Sequence, residues 1–319
     1  MTDAAIHQKA PGLDPAKFRD PDVTADGSAR ASVALEELQT LWFNTGTLCN
    51  LECVNCYIES SPTNDRLQYL PLAEAERFLD ELDRDFRAVE IGFTGGEPFM
   101  NPDFMAMLES ALDRGYRALV LTNAMRPMMK RAGELLALRE RFGERLHVRV
   151  SIDHYSRELH DLERGAGAWE RMLPGLDWLA ANGFRLSIAG RTFWKESEDS
   201  LREGFGRFLA ARGIGLDAGD PERLVLFPEM DAAADVPEIT TACWGILDVQ
   251  PSSMMCASSR MVIHRKGAPS ATVAPCTLLP YETGLEMGRT LAEARAEVKL
   301  NHPHCARFCV LGGGSCSRA

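Results

Sequence analysis

The chain has no excess of positive charge, no long apolar run and no basic leader. Acidic residues outnumber basic ones 46 to 35 over 319 positions, a formal net charge of -11, and a surface of that sign is unsuited to neutralising nucleic-acid phosphates. No nucleic acid is therefore expected as a partner, and RNA modification is set aside with it. No uninterrupted apolar stretch approaches the roughly 20 residues that cross a bilayer, and Met1-Thr2-Asp3-Ala4-Ala5-Ile6 has neither the basic nor the apolar section of a secretory signal. No membrane partner is expected, and the chain reads as cytoplasmic. In that compartment thiols stay reduced, so nine cysteines are poor candidates for disulfides and their grouping points to metal.

Three of those cysteines fall within eight residues, Cys49-Asn50-Leu51-Glu52-Cys53-Val54-Asn55-Cys56, directly after the apolar run Leu41-Trp42-Phe43. Thiols this close need a soft partner. An iron–sulfur cubane is normally held by four thiolates, so a loop offering three leaves one iron open to a small molecule. A closed cluster carries electrons; an open one does chemistry. A zinc loop that takes its fourth ligand elsewhere, or a group of buried free thiols, fits the same residues. Structural zinc usually draws on two separate Cys-x-x-Cys-like knuckles, which favours iron–sulfur here.

Residues 1–37 are rich in Ala, Asp and Pro without sustained periodicity and read as an arm leading into a first strand. From residue 41 short apolar runs alternate with amphipathic segments of helical length, the pattern of parallel βα units. The runs predict strands at 41–46, 89–94, 117–122, 147–152, 184–190 and 223–228, with helices near 71–86, 102–114, 127–141, 169–182 and 198–212. After residue 229 the rhythm stops. Cys243, Cys256, Cys276, Cys305, Cys309 and Cys316 crowd a segment without apolar periodicity fit to sustain its own core, and a metal site is expected to stand in for one. The expected division is an arm (1–37), a region of βα units (38–229) and a cysteine-rich region (230–319).

A second motif follows one strand after the cysteines: Ile91-Gly92-Phe93-Thr94-Gly95-Gly96-Glu97-Pro98, an apolar strand running into a Gly-Gly-Glu-Pro turn. Cys-x3-Cys-x2-Cys after a first strand, with Gly-Gly-Glu-Pro after the next, resembles the radical S-adenosylmethionine (radical SAM) enzymes. The resemblance covers residues 40–228 and implies an α/β fold, a partial (β/α)6 TIM-like barrel, with functional groups at the carboxyl ends of its strands. It implies that Cys49, Cys53 and Cys56 hold a catalytic [4Fe–4S] cluster whose open iron is chelated by the amino and carboxylate groups of S-adenosylmethionine. One electron, from a donor such as flavodoxin or ferredoxin, would then release a 5′-deoxyadenosyl radical that abstracts hydrogen from the substrate. One residue departs from the pattern: Asn55 precedes the third cysteine, where the family commonly has an aromatic residue near the adenine, and Tyr57 follows it instead.

The same resemblance gives roles to further residues. Gly95 and Gly96 would let backbone carbonyls approach the methionine ammonium group, with Glu97 and Pro98 fixing the turn; standing alone they are a turn that ends a strand. Ser151 and Asp153 fall on one side of the fourth strand by alternation and look like the family's ribose-contacting pair, the alternative being a polar strand end that caps the next helix. Asn123, at the end of the third strand, is expected to line the same cavity. Arg191 follows the fifth strand and either pairs with the cofactor carboxylate or is a surface arginine. Asp153-His154-Tyr155 has the makings of an acid/base group, but a histidine after a strand is more often a hydrogen-bonded loop residue, and no catalytic side chain is assigned.

In its cysteine content the tail resembles the SPASM and twitch extensions, which carry auxiliary iron–sulfur clusters. Its run Cys305-x3-Cys309-x6-Cys316 departs from the SPASM spacing Cys-x2-Cys-x5-Cys-x3-Cys. An auxiliary iron–sulfur cluster is expected from Cys256, Cys276, Cys305, Cys309 and Cys316, with Cys243 a buried thiol or sixth ligand, His302 and His304 as hydrogen-bond donors to the ligands, and zinc as the rival metal. The expected substrate is a small molecule, as in the molybdenum-cofactor cyclase, or a peptide or protein side chain, as in the SPASM maturases. An arm of 37 residues is too short for the leader-recognition domain that peptide-modifying members often carry, which tilts the expectation toward a small molecule or a folded partner. The competing class is a non-catalytic zinc-binding interaction protein, which accounts for the tail but not for Gly-Gly-Glu-Pro.

Overall fold

The computed structural model describes residues 11–192, 194–228 and 231–313. In chain order the elements begin with β1 (Ser32–Val33), β2 (Thr40–Asn44), α1 (Leu72–Asp85), β3 (Glu90–Thr94), α2 (Phe104–Asp113) and β4 (Arg117–Thr122). They continue with α3 (Arg126–Met129), α4 (Ala132–Phe142), β5 (Leu146–Ser151), α5 (Arg157–Arg164), α6 (Ala168–Ala181), β6 (Arg185–Arg191), α7 (Glu198–Ala211) and β7 (Leu224–Phe227). The tail adds α8 (Cys243–Leu247), β8 (Ser259–Ile263), β9 (Thr272–Ala274) and β10 (Val298–Lys299). Among the described residues no helix is long and apolar enough to cross a membrane.

Strands β2 to β7 lie side by side in sequence order, all parallel, with a helical segment between each pair. This is the partial (β/α)6 barrel. Alternation divides each strand between two environments: Leu146, Val148 and Val150 of β5 join Phe78, Leu82 and Leu108 of the helices in one apolar core, and the intervening side chains face inward. Inside, Trp42 fills the space above Gly92, where an added Cβ would lie 2.3 Å from its ring. Arg149, fully buried, donates from Nε to Ser187 Oγ (3.1 Å), and His147 and Glu90 are buried with it.

The structure differs from the sequence reading in three places. The expected helix over 127–141 is two, because the chain leaves helical geometry at Arg131 (φ -107, ψ 12). Helix α5 was not expected; Arg157-Glu158-Leu159-His160-Asp161-Leu162-Glu163-Arg164 is too charged to show an apolar stripe. The tail, read as coreless, contributes β8, which pairs in parallel with β2 on the side away from β3, and β9, antiparallel to β8. Arg260 hides that strand in the sequence, and it is fully buried because its guanidinium caps the carbonyls of Cys256 (2.5 Å) and Ala294 (2.8 Å). Met254, Met261, Leu278, Leu300 and Phe308 form a second apolar core with Trp42 and Leu119 from the barrel interior.

The arm is strapped to this tail. Leu13 N–H donates to the Ala233 carbonyl (2.7 Å) and Asp235 N–H to that of Pro11 (2.7 Å), β1 pairs with β10, and Arg30 forms a buried ion pair with Glu238 (2.5 Å).

Burial, and then the charge of Arg149, push the His147 imidazole down to about 3, and its Nε2 has no hydrogen-bond partner. The unfolded chain takes up a proton near pH 6.5 that the folded chain refuses, so stability falls as pH drops through this window. Replacing His147 by Leu should remove that share: between pH 7 and pH 5 the wild type is expected to lose about 2 kcal/mol more than the variant in urea denaturation. Equal losses would show that His147 is protonated in the fold.

Candidate functional site

The cysteine loop leaves β2 at its carboxyl end, and the glycine turn leaves the neighbouring β3 at the same level, since Asn44 is in register with Thr94. Main-chain bonds join the two segments: Gly96 N–H to the Gly46 carbonyl (2.8 Å) and Glu97 N–H to that of Leu48 (3.2 Å). A Cβ on Gly95 (φ +133) would lie 2.5 Å from the Gly46 oxygen, and one on Gly96 would lie 2.2 Å from that of Leu48. The glycines are thus required by the approach of the cysteine loop itself.

Cys49, Cys53 and Cys56 border one cavity, and Gly95, Gly96, Asn123, Ser151, Asp153 and Arg191 border it as well. Glu97 and Pro98, also proposed from the sequence, do not. Glu97 lies behind the wall with its carboxylate accepting from Thr122 Oγ1 (2.8 Å) and Asn123 N–H (2.9 Å), so it ties the turn to the end of β4. Burial pushes it up to about 7 against those bonds. Asn123 in turn donates from Nδ2 to Asn50 Oδ1 (2.9 Å) in the cysteine loop.

Two residues that the sequence reading missed complete the polar wall. Arg164, at the end of α5, pairs through Nε with Asp153, and Arg191 Nε lies 3.5 Å from the same carboxylate. Burial raises the Asp153 carboxyl, but the two guanidinium groups outweigh it and hold it below the usual range. Glu163 accepts from the main chain and side chain of Asn55 (2.8 Å each). Nothing in the local sequence marks this pair, because its partners lie far away in the chain. Arg191 also donates from Nη2 to the Asn55 carbonyl (3.2 Å). His154, by contrast, does not border the cavity: its Nε2 meets Glu196 Oε1 (2.8 Å) and its Nδ1 meets Ser156 Oγ (2.9 Å), a satisfied loop histidine.

Leu121, Phe227, Leu278 and Phe308 also border the cavity, the last two from the tail. In that tail Cys256, Cys276, Cys305 and Cys309 are buried in the second core. Burial, and then the charges of Cys276 and Cys256, raise the Cys305 thiol well above its ordinary value. Cys243 is half-buried, its Sγ 3.4 Å from the Thr240 N–H. Cys316 lies outside the described residues. His304 is buried with Nδ1 unpartnered, and burial pushes the His302 and His304 imidazoles down, so both are neutral.

The thiols of the loop fit a cluster better than a single ion. Cys49, Cys53 and Cys56 all border one shared space, and three thiolates are the set that a cubane with one open iron takes; among the described residues no three His, Cys, Asp or Glu side chains form a single-ion site. Burial pushes Cys49 up to about 12 and Cys53 up to about 11, the latter eased by Arg164; only a metal centre would hold them as thiolates.

A profile of the Radical SAM superfamily matches residues 43–203, a stretch from β2 into α7 that contains both motifs. The chain belongs to the Radical SAM superfamily. Members use a [4Fe–4S] cluster with S-adenosylmethionine, which the cavity's donor set fits. The mycofactocin maturase MftC of Mycobacterium ulcerans is 32% identical over 136 residues, covering 43% of this chain and 35% of that protein. The antilisterial bacteriocin subtilosin biosynthesis protein AlbA of Bacillus subtilis is 30% identical over 149 residues, covering 46% of this chain and 32% of that protein. The matched stretch thus spans about a third of the length of these curated relatives. In fold, Streptococcus suis SuiB bound to precursor peptide SuiA superposes with a TM-score of 0.58 at 13% identity, over 80% of this chain and 63% of that one. The shared fold therefore reaches beyond the profile match, into the arm, the tail or both.

Within this radical SAM barrel, Asp153 is the shared counter-charge of two buried cations. Asp153→Ala should lower folding stability by about 3–5 kcal/mol, because it removes the carboxylate with which the Arg164 guanidinium is paired inside the protein. Urea denaturation checks this, and a loss under ~1 kcal/mol, the range of an exposed pair, would overturn it.

Proposed function

We propose that this chain is a radical SAM enzyme in which Cys49, Cys53 and Cys56 hold the [4Fe–4S] cluster and that it abstracts hydrogen from a peptide or protein side chain. The observation that carries the reading is the convergence of the three thiols, Gly95, Gly96, Asn123, Ser151, Asp153 and Arg191 on one cavity. When bound, the cluster and S-adenosylmethionine supply, on one-electron reduction, a 5′-deoxyadenosyl radical. The chain's own residues bind and exclude. Asp153, held ionised by Arg164 and Arg191, is an acceptor suited to hydroxyl groups, and Ser151 beside it donates or accepts. The buried guanidinium of Arg164 offsets the negative charge that three ligating thiolates bring into the cavity. Leu121, Phe227, Leu278 and Phe308, which border the same cavity, exclude water and form a surface on which an apolar part of the substrate rests. Two relatives named for a maturase and for bacteriocin biosynthesis support the peptide class over the small molecule.

The proposal extends to the tail. Residues 38–229 are assigned as the catalytic barrel and 230–319 as an auxiliary region, where Cys256, Cys276, Cys305 and Cys309, with Cys316 as a further ligand, hold an auxiliary iron–sulfur cluster. Reduced free thiols fit a cytoplasmic setting, with flavodoxin or ferredoxin as the electron donor.

Anaerobically reconstituted and reduced protein should cleave S-adenosylmethionine slowly to 5′-deoxyadenosine without substrate, measured by liquid chromatography, and Cys53→Ala should abolish it; retained activity in the variant would sink the assignment. For the tail, the triple variant Cys49→Ala, Cys53→Ala, Cys56→Ala is expected to keep about four irons per chain, as one cubane requires, with iron–sulfur Mössbauer signals. Stoichiometric zinc without iron would remove the auxiliary cluster.

A further inference from the structure

Asn55, the residue that departs from the family pattern, is held at three polar groups. Its main-chain N–H donates to Glu163 Oε1 (2.8 Å) and its Nδ2 to Glu163 Oε2 (2.8 Å), while its carbonyl accepts from Arg191 Nη2 (3.2 Å). One residue earlier, Val54 N–H donates to the Glu163 carbonyl (2.9 Å). Glu163 is only 3% exposed and borders the cavity. A buried carboxylate is costly unless its oxygens are bonded. Here each oxygen is bonded to Asn55, and Arg164, next in the chain, is turned to Asp153 instead. An aromatic residue at position 55 would leave Glu163 Oε2 without its donor. The identities of residues 55 and 163 are therefore linked across more than one hundred positions of chain.

We propose that Glu163 is a positioning residue for the cysteine loop: a carboxylate clamp on Asn55 that fixes the main chain between Cys53 and Cys56 and so sets how those two thiols meet a cluster. The consequence for the cluster rests on the radical SAM reading above; the clamp itself rests on the hydrogen bonds alone. Helix α5 acquires a purpose in this account, since its last turn carries both the clamp and the arginine that neutralises Asp153.

A charge swap tests the pairing. Asn55→Asp sets two carboxylates against each other, whereas adding Glu163→Gln exchanges amide and carboxylate between the two positions, with an N–H···O bond restored between the side chains and the main-chain N–H of residue 55 still accepted. Hydrogen exchange followed by mass spectrometry on the iron-loaded protein reads the clamp, and the reduced protein's EPR signal that changes on adding S-adenosylmethionine reads its effect on the cluster. Asn55→Asp is expected to speed exchange within residues 50–58 roughly tenfold, as loss of a charged hydrogen bond implies, and to diminish that EPR signal. The double variant is expected to recover both, which a generally weakened fold would not do. The clamp is overturned if Asn55→Asp exchanges like wild type, or if the double variant is no better protected than the single one. If the wild type gives no S-adenosylmethionine-sensitive signal, the cofactor reading fails, and the exchange measurement still decides the clamp.

Discussion

Two main-chain hydrogen bonds, from Gly96 to Gly46 (2.8 Å) and from Glu97 to Leu48 (3.2 Å), join the glycine turn to the lead-in of the cysteine loop, and the rest of the cavity is built outward from that seam. It exists because β2 and β3 are parallel neighbours in register, so their carboxyl ends deliver both loops to one height, and because neither glycine brings a Cβ between the backbones. Glu97 carries the connection onward to Thr122 and Asn123 at the end of β4. On the far side, Asp153 links Arg164 of α5 with Arg191 at the end of β6, and Glu163 and Arg191 return to the loop at Asn55. The loop is therefore fixed at its beginning by main-chain contacts and at its end by buried charge. A three-thiol loop needs both, since without its metal nothing covalent shapes it.

The barrel was legible in the sequence for a physical reason. Parallel strands covered by helices outside and packed within read as short apolar runs, and β2 and β3 are buried at every position. The same logic fails for β8, where Arg260 interrupts the run and is made tolerable by carbonyls at Cys256, Ser259, Ala294 and Ala296, the last two brought near only by the fold. It fails again for α5. That helix has few apolar side chains to bury, and what holds it is a set of polar contacts to the cysteine loop and to Asp153.

Site residues divide along similar lines. Cys49, Cys53, Cys56, Gly95 and Gly96 are recognisable because chemistry and close approach leave few substitutes at those positions, and alternation sufficed to place Ser151 and Asp153 together at the cavity. Glu97 was read as part of the cofactor turn, and its carboxylate serves the β3–β4 connection. Arg191, which the sequence left open between the cavity and the surface, borders the cavity, with its guanidinium already engaged by Asp153 and by the Asn55 carbonyl. Glu163 and Arg164 were invisible because their meaning depends on contacts with segments that only the fold brings near. A motif reports the part of a site that is local in the chain, and ion pairs across the barrel mouth are not local.

The tail is joined to this site by more than proximity. Cys305–Val310 is a π-helical turn, a geometry frequent at functional positions, and it carries two of the tail's buried thiols together with Phe308. The Phe308 ring stacks on Phe227 at the end of β7, with centroids 5.7 Å apart and planes at 25°, and both rings border the cavity. Tyr281, farther back in the tail, donates its hydroxyl to the Ile58 carbonyl (2.7 Å) just past the cysteine loop. The π-helical turn holds Phe308 in place, and with it the stacked aromatic pair at the cavity. The tail thus shapes the cavity through packing, with Leu278 and Phe308 among the residues that border it.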